Sequence, residues 1–116
     1  MKGYRKRIAD EILKRKLEGK GAVLIEGPKW CGKTTTAEQI AKSILYMDDP
    51  ETKEQNITMS ELSPKRLLRG ETPRLIDEWQ LAPKLWDAIR FEVDHRGELG
   101  QFVLTGSAVA PDTKEI

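Results

Sequence analysis

Gly27-Pro28-Lys29-Trp30-Cys31-Gly32-Lys33-Thr34 is the stretch that most restricts what this chain can fold into. Two glycines frame four free positions, and a lysine and a hydroxyl residue follow at once. Just before it stands Ala22-Val23-Leu24-Ile25, an apolar run too short for a helix. Such runs are typical of parallel strands buried on both faces. Just after it, from Lys33 on, Ala37, Ile40 and Ala41 share a face at helical spacing. The chain must therefore leave a buried strand, turn sharply and enter a helix. Gly27 and Gly32 supply the backbone freedom which that turn requires.

A loop of this shape aims successive backbone N–H groups at one point, where they match the oxygens of a phosphate. The helix N-terminus beyond it adds free N–H groups and partial positive charge. Every fixed position of G-x-x-x-x-G-K-[ST] is filled. At average residue frequencies a chain of this length meets the pattern by chance on the order of once in several hundred sequences. The stretch reads as a P-loop (Walker A) for a nucleoside triphosphate. Gly27, Pro28, Lys29, Trp30, Cys31 and Gly32 form the cradle, Lys33 bridges the β- and γ-phosphates, and Thr34 completes a magnesium shell. Trp30 is read as packing and Cys31 as a small filler. Thr35 is assigned to the α-phosphate, Thr36 to capping or packing.

The rest of the chain alternates strands and helices. Tyr4, Ile8, Ile12 and Leu17 predict an amphipathic helix over residues 1–20, stopped by Gly19 and Gly21. Residues 43–47 predict a second strand, ended by Asp48-Asp49-Pro50, and residues 48–62 read as a loop. Ser63-Pro64 reads as an N-cap and first turn of a short helix ending at Gly70. Arg74-Leu75-Ile76-Asp77 is the third strand. Pro83 opens a helix with Leu85, Trp86, Ile89 and Val93 on one face and Gly97 as its stop. Residues 101–105 form the fourth strand, and the last ten residues show no pattern. Such alternation predicts an α/β fold with a parallel sheet.

A phosphate cradle alone hydrolyses nothing; a carboxylate is needed at the carboxyl end of a neighbouring strand, where open α/β sheets hold ligands. Leu75-Ile76-Asp77-Glu78 supplies two acids there. Asp77 is expected to hold magnesium opposite Thr34, and Glu78 to polarise the attacking water as general base. Thr105-Gly106-Ser107 ends the fourth strand at the same edge and offers a hydroxyl for the γ-phosphate or the water. His95, the single histidine, is read as an exposed helix end.

Composition narrows the partners. The 20 Lys and Arg nearly balance 19 Asp and Glu, so bulk charge favours neither nucleic acid nor an anionic membrane. Residues 1–20 nevertheless hold eight basic residues against three acidic ones. That run reads as a solvated helix face, with a phosphate- or partner-contacting face as the alternative. The single cysteine excludes an internal disulfide, and no apolar run approaches the ~18 residues of a membrane span. The expectation is a cytoplasmic protein without a membrane partner.

Three segments together carry a family likeness: Ala22-Val23-Leu24-Ile25-Glu26-Gly27-Pro28-Lys29-Trp30-Cys31-Gly32-Lys33-Thr34, then Pro73-Arg74-Leu75-Ile76-Asp77-Glu78-Trp79-Gln80, then Phe102-Val103-Leu104-Thr105-Gly106-Ser107. Across most of its length the chain resembles the N-terminal part of the prokaryotic AAA-type ATPases that carry an uncharacterised C-terminal domain. The resemblance implies a three-layer P-loop NTPase fold of the additional-strand-catalytic-glutamate type, with strand order 5-1-4-3-2 in a complete domain. It implies ATP rather than GTP; the chain also has no N-K-x-D segment to read guanine. By the same likeness Lys33 and Thr34 are nucleotide ligands, Asp77 a magnesium residue, Glu78 the base, and Thr105 or Ser107 the sensor of the γ-phosphate.

Members of that family continue with a fifth strand, an arginine that completes the site, and the C-terminal domain. Residues 1–116 are therefore expected to be a partial AAA-like domain, incomplete at the C-terminus, with an open edge on the first strand that invites self-association. The expected function is magnesium-dependent ATP hydrolysis coupled to a conformational change. Turnover is expected to be slow or absent without the arginine, which is worth about 10³–10⁵ in rate. The alternative is a nucleotide-dependent switch for a protein or DNA partner, contacted through the basic first helix. A small-molecule kinase fits less well, because the Asp77-Glu78 pair favours water as acceptor.

Overall fold

The computed structural model describes residues 6–27 and 33–107, the side chains of 6–10 and 33 excepted. Helix α1 (Lys6–Gly19) leads into strand β1 (Ala22–Glu26), and α2 (Lys33–Ile40) into β2 (Ser43–Tyr46). Helices α3 (Lys53–Leu62) and α4 (Pro64–Leu67) precede β3 (Arg74–Asp77). A single 3-10 turn (Trp79–Leu81), α5 (Lys84–Arg96) and β4 (Phe102–Gly106) complete the order. The four strands are parallel and lie in the order β1-β4-β3-β2. This is the expected α/β arrangement of a P-loop NTPase-like fold, with β1 beside β4 and at an edge among the described residues.

Register explains why the strand runs are apolar at every position. Val23, Val103 and Leu75 stand side by side, and they pack with Leu13 and Leu17 of α1 and Ala37 of α2. The next residues, Leu24, Leu104 and Ile76, point to the other face and pack with Leu67 of α4 and Leu85 and Ile89 of α5. Successive side chains of a strand alternate in direction, so a sheet covered twice needs both sets apolar. The result is three layers: α1 and α2, the sheet, then α3 to α5. Among the described residues no helix is long and apolar enough to cross a membrane.

Three expectations are corrected. Residues 48–62 are not a loop throughout, because Lys53–Leu62 is helical. Its core-facing side offers only Ile57 and Met59 as apolar residues, with Ser60 as the buried residue. Ser60 Oγ donates to the Ile57 carbonyl at 2.6 Å, inside the helix, so a polar residue fills a core position and erases the period. In α1 the buried residues are Leu13 and Leu17, four apart, whereas Ile12 is 49% exposed. Pro64 does open α4, but Ser63 makes no side-chain capping bond. The stop of α5 is as expected: Gly97 takes the left-handed conformation at φ 66°, and its N–H donates to the Val93 carbonyl at 3.1 Å.

Helix α5 comes close to the chain at Gly21, just before β1. A Cβ there would lie 2.2 Å from Val93 Cγ1 and 3.1 Å from Cγ2. Gly21→Ala is therefore expected to destabilise the chain by about 1–3 kcal/mol through overpacking. Urea unfolding would show it, with recovery when Val93→Ala is added; equal stability of variant and parent would contradict so close an approach.

Candidate functional site

The carboxyl ends of the strands bring the site together. Among the predicted cradle residues, Gly27 follows β1, and its N–H donates to the Gly106 carbonyl at 3.3 Å. Pro28, Lys29, Trp30, Cys31 and Gly32 lie outside the described residues. Lys33 is the first residue of α2. Thr34, next on that helix, donates its hydroxyl to Asp77 Oδ1 at 2.8 Å, joining positions 43 residues apart. Thr35 is exposed on α2.

Asp77 and Glu78 are 5% and 6% exposed, and a buried carboxylate is costly unless donors meet it. Two hydroxyls converge on Asp77 Oδ1: Thr34 from α2 and Thr105 from β4, the latter at 2.5 Å. Oδ2 is left without a hydrogen bond to any described residue. Thr105, fully buried, uses the same hydroxyl oxygen to accept the Glu78 N–H at 3.3 Å. It therefore ties both acids to the end of β4. Glu78 leaves the strand in the left-handed conformation, at φ 58° and ψ 51°, the one non-glycine residue with positive φ among those described. Its Oε1 accepts from Gln80 Nε2 at 2.6 Å, and its Oε2 from Ser107 Oγ at 2.9 Å.

The sequence reading passed over two residues that the fold brings here. Asp48, just past β2, has a carboxylate oxygen within 4.8 Å of one from Asp77 and one from Glu78. Its signal was its place: the first polar residue beyond an apolar strand, on the strand paired to β3. Nothing in the spacing of Gln80 marks it in the sequence. Nearby, Tyr46 Oη donates to the Glu38 carboxylate, linking β2 to α2. That bond, with partial burial and the charges of Glu38 and Asp77, pushes the phenol up to about 12, so it stays protonated at neutral pH. His95, expected at an exposed helix end, donates its Nδ1–H to the Phe91 carbonyl at 2.8 Å and stacks on the Phe91 ring.

The donor set suits a hard cation: carboxylates and a threonine hydroxyl, with neither thiolate nor imidazole among the described residues around it. Glu26 Oε1 and Trp79 Nε1 are also buried at this end of the sheet without a hydrogen-bond partner among the described residues. A groove of about 750 Å³ lies at the opposite end of the strands, among Lys42, Arg69, Glu71, Arg96 and Glu98, and is no part of this site.

A family model for the AAA domain matches residues 19–116, which takes in the cradle, both acids and β4. The chain belongs to the AAA domain family. Comparison with curated proteins and with solved structures finds no match. Membership in the AAA domain family points to nucleotide binding, and the four-stranded parallel sheet is of the kind such domains use.

Proposed function

We propose that this AAA domain binds ATP with magnesium at residues 27–34 and hydrolyses it, coupling the reaction to a change of conformation. The observation that carries the reading is the Thr34–Asp77 bond of 2.8 Å, continued by Thr105. A helix-start hydroxyl and a strand-end carboxylate side by side are what a nucleotide-bound cation requires. Thr34 and Asp77 would hold the magnesium ion, which when bound neutralises charge on the phosphates. Lys33 and the cradle N–H groups would hold the β- and γ-phosphates. Glu78, one residue further, would take the proton of the water that attacks the γ-phosphate in line. Thr105 is assigned to reporting the state of the phosphate end through Asp77, and Thr35 to the α-phosphate. ATP over GTP, and a prokaryotic ATPase with a further C-terminal domain, rest on sequence resemblance.

Titration of fluorescent ATP and GTP analogues with magnesium, into the chain and into Lys33→Ala, tests the reading. ATP is expected to bind and the variant to lose about 10²-fold or more in affinity, because a charged hydrogen-bond partner of the phosphates is gone. Equal affinity in the two proteins would remove the cradle from the site.

A further inference from the structure

We propose that Gln80 is a positioning residue for the Glu78 carboxylate: with Ser107 it fixes the plane in which that carboxylate faces the water. The inference rests on the hydrolytic reading above.

The argument begins with a torsion. The backbone of Glu78 is set by its left-handed conformation, but the last side-chain torsion of a glutamate is broad and holds no preferred plane. A base that swings about this bond meets its water in the right geometry only part of the time. Two donors from different elements remove that freedom. Gln80 Nε2 reaches Oε1 at 2.6 Å from the 3-10 turn, and Ser107 Oγ reaches Oε2 at 2.9 Å from the end of β4.

Gln80 is itself held, although much of the residue is exposed. The left-handed turn at Glu78 and the 3-10 turn after it bring residue 80 back onto residue 78. The carboxamide then lies across Gly106, where a Cβ would stand 2.9 Å from Gln80 Oε1 and 3.1 Å from Trp79 Nε1. A side chain at the end of β4 would push the carboxamide away from this position. The opposite amide orientation would set Gln80 Oε1 against Glu78 Oε1, two acceptors with no proton between them. The contact is thus specific to a side chain of this length that carries a donor.

The test compares kcat and KM for ATP with magnesium in the chain, Gln80→Met, Glu78→Gln and the double variant. Alongside, NMR follows the Gln80 side-chain amide in the chain and in Glu78→Ala. Methionine keeps the length and loses the donor. Its kcat is expected to fall about ten- to hundredfold with KM within about twofold, the mark of an interaction that matters only during reaction. Added to Glu78→Gln, Gln80→Met is expected to cost nothing more, since it acts through the carboxylate. The Gln80 amide protons are expected to shift when Glu78 is removed. An unchanged kcat in Gln80→Met, a loss that adds in full to Glu78→Gln, or an amide indifferent to Glu78→Ala overturns the proposal. Absence of turnover in the parent is a separate result that concerns the hydrolytic reading alone, and the amide response then decides by itself whether the clamp exists.

Discussion

Glu78→Gln is expected to bind ATP as the parent does and to hydrolyse it about 10²–10⁴-fold more slowly, the usual contribution of a general base. The substitution is close to isosteric, and glutamine tolerates the left-handed backbone no worse than glutamate. Its carbonyl can still accept from Gln80, and the Ser107 hydroxyl can reverse to accept from the new amide. Folding should therefore change little, while the proton acceptor is lost. Phosphate release and a nucleotide titration on the same samples separate the two effects. Turnover equal to the parent would move the base elsewhere, and Asp48 would be the next carboxylate to replace, given its distance from the other two.

Phe102→Ala is expected to destabilise the chain by about 3–5 kcal/mol. That is a large part of the roughly 5–15 kcal/mol that holds an ordinary domain together. Phe102 is fully buried at the start of β4, in register with Ala22 on one side and Arg74 on the other. Ala22 is too small to fill the space left by the ring, and the Arg74 guanidinium is held by the Leu67 carbonyl at 2.9 Å. The Arg96 guanidinium sits 5.1 Å above the ring centre and would lose that contact too. Urea unfolding measures the loss directly. A change below about 1 kcal/mol would mean that this end of α5 is not packed on the sheet.

Much of the fold could be read from residues because the strands announce themselves. Val23, Leu24, Leu75, Ile76, Val103 and Leu104 are apolar without alternation, which only a sheet covered on both faces explains. The phosphate loop fixed the direction of travel, and Asp77 and Thr105 then fell at one edge because all strands run parallel. What escaped has physical causes. The helix over 53–62 buries a serine where a leucine would have shown the period. Ile12 and Leu13 are adjacent and both apolar, so periodicity alone could not say which faced inward. Asp48 needed the register of β2 beside β3, a long-range fact. Gln80 needed the backbone angles at Glu78, which no propensity scale assigns to a glutamate.

Those angles have a consequence for how this sequence can change. A residue with a Cβ in the left-handed region carries a penalty of about 1 kcal/mol, and glycine at position 78 would remove it. Mutational drift that selects only for a sturdier fold would thus favour exchanging Glu78 for glycine, and every such exchange would delete the carboxylate. Under the proposed reading, folding and chemistry make opposite demands on position 78. Stabilising this protein by consensus or by computed design should therefore leave position 78 untouched, however attractive the gain looks on the folding side alone.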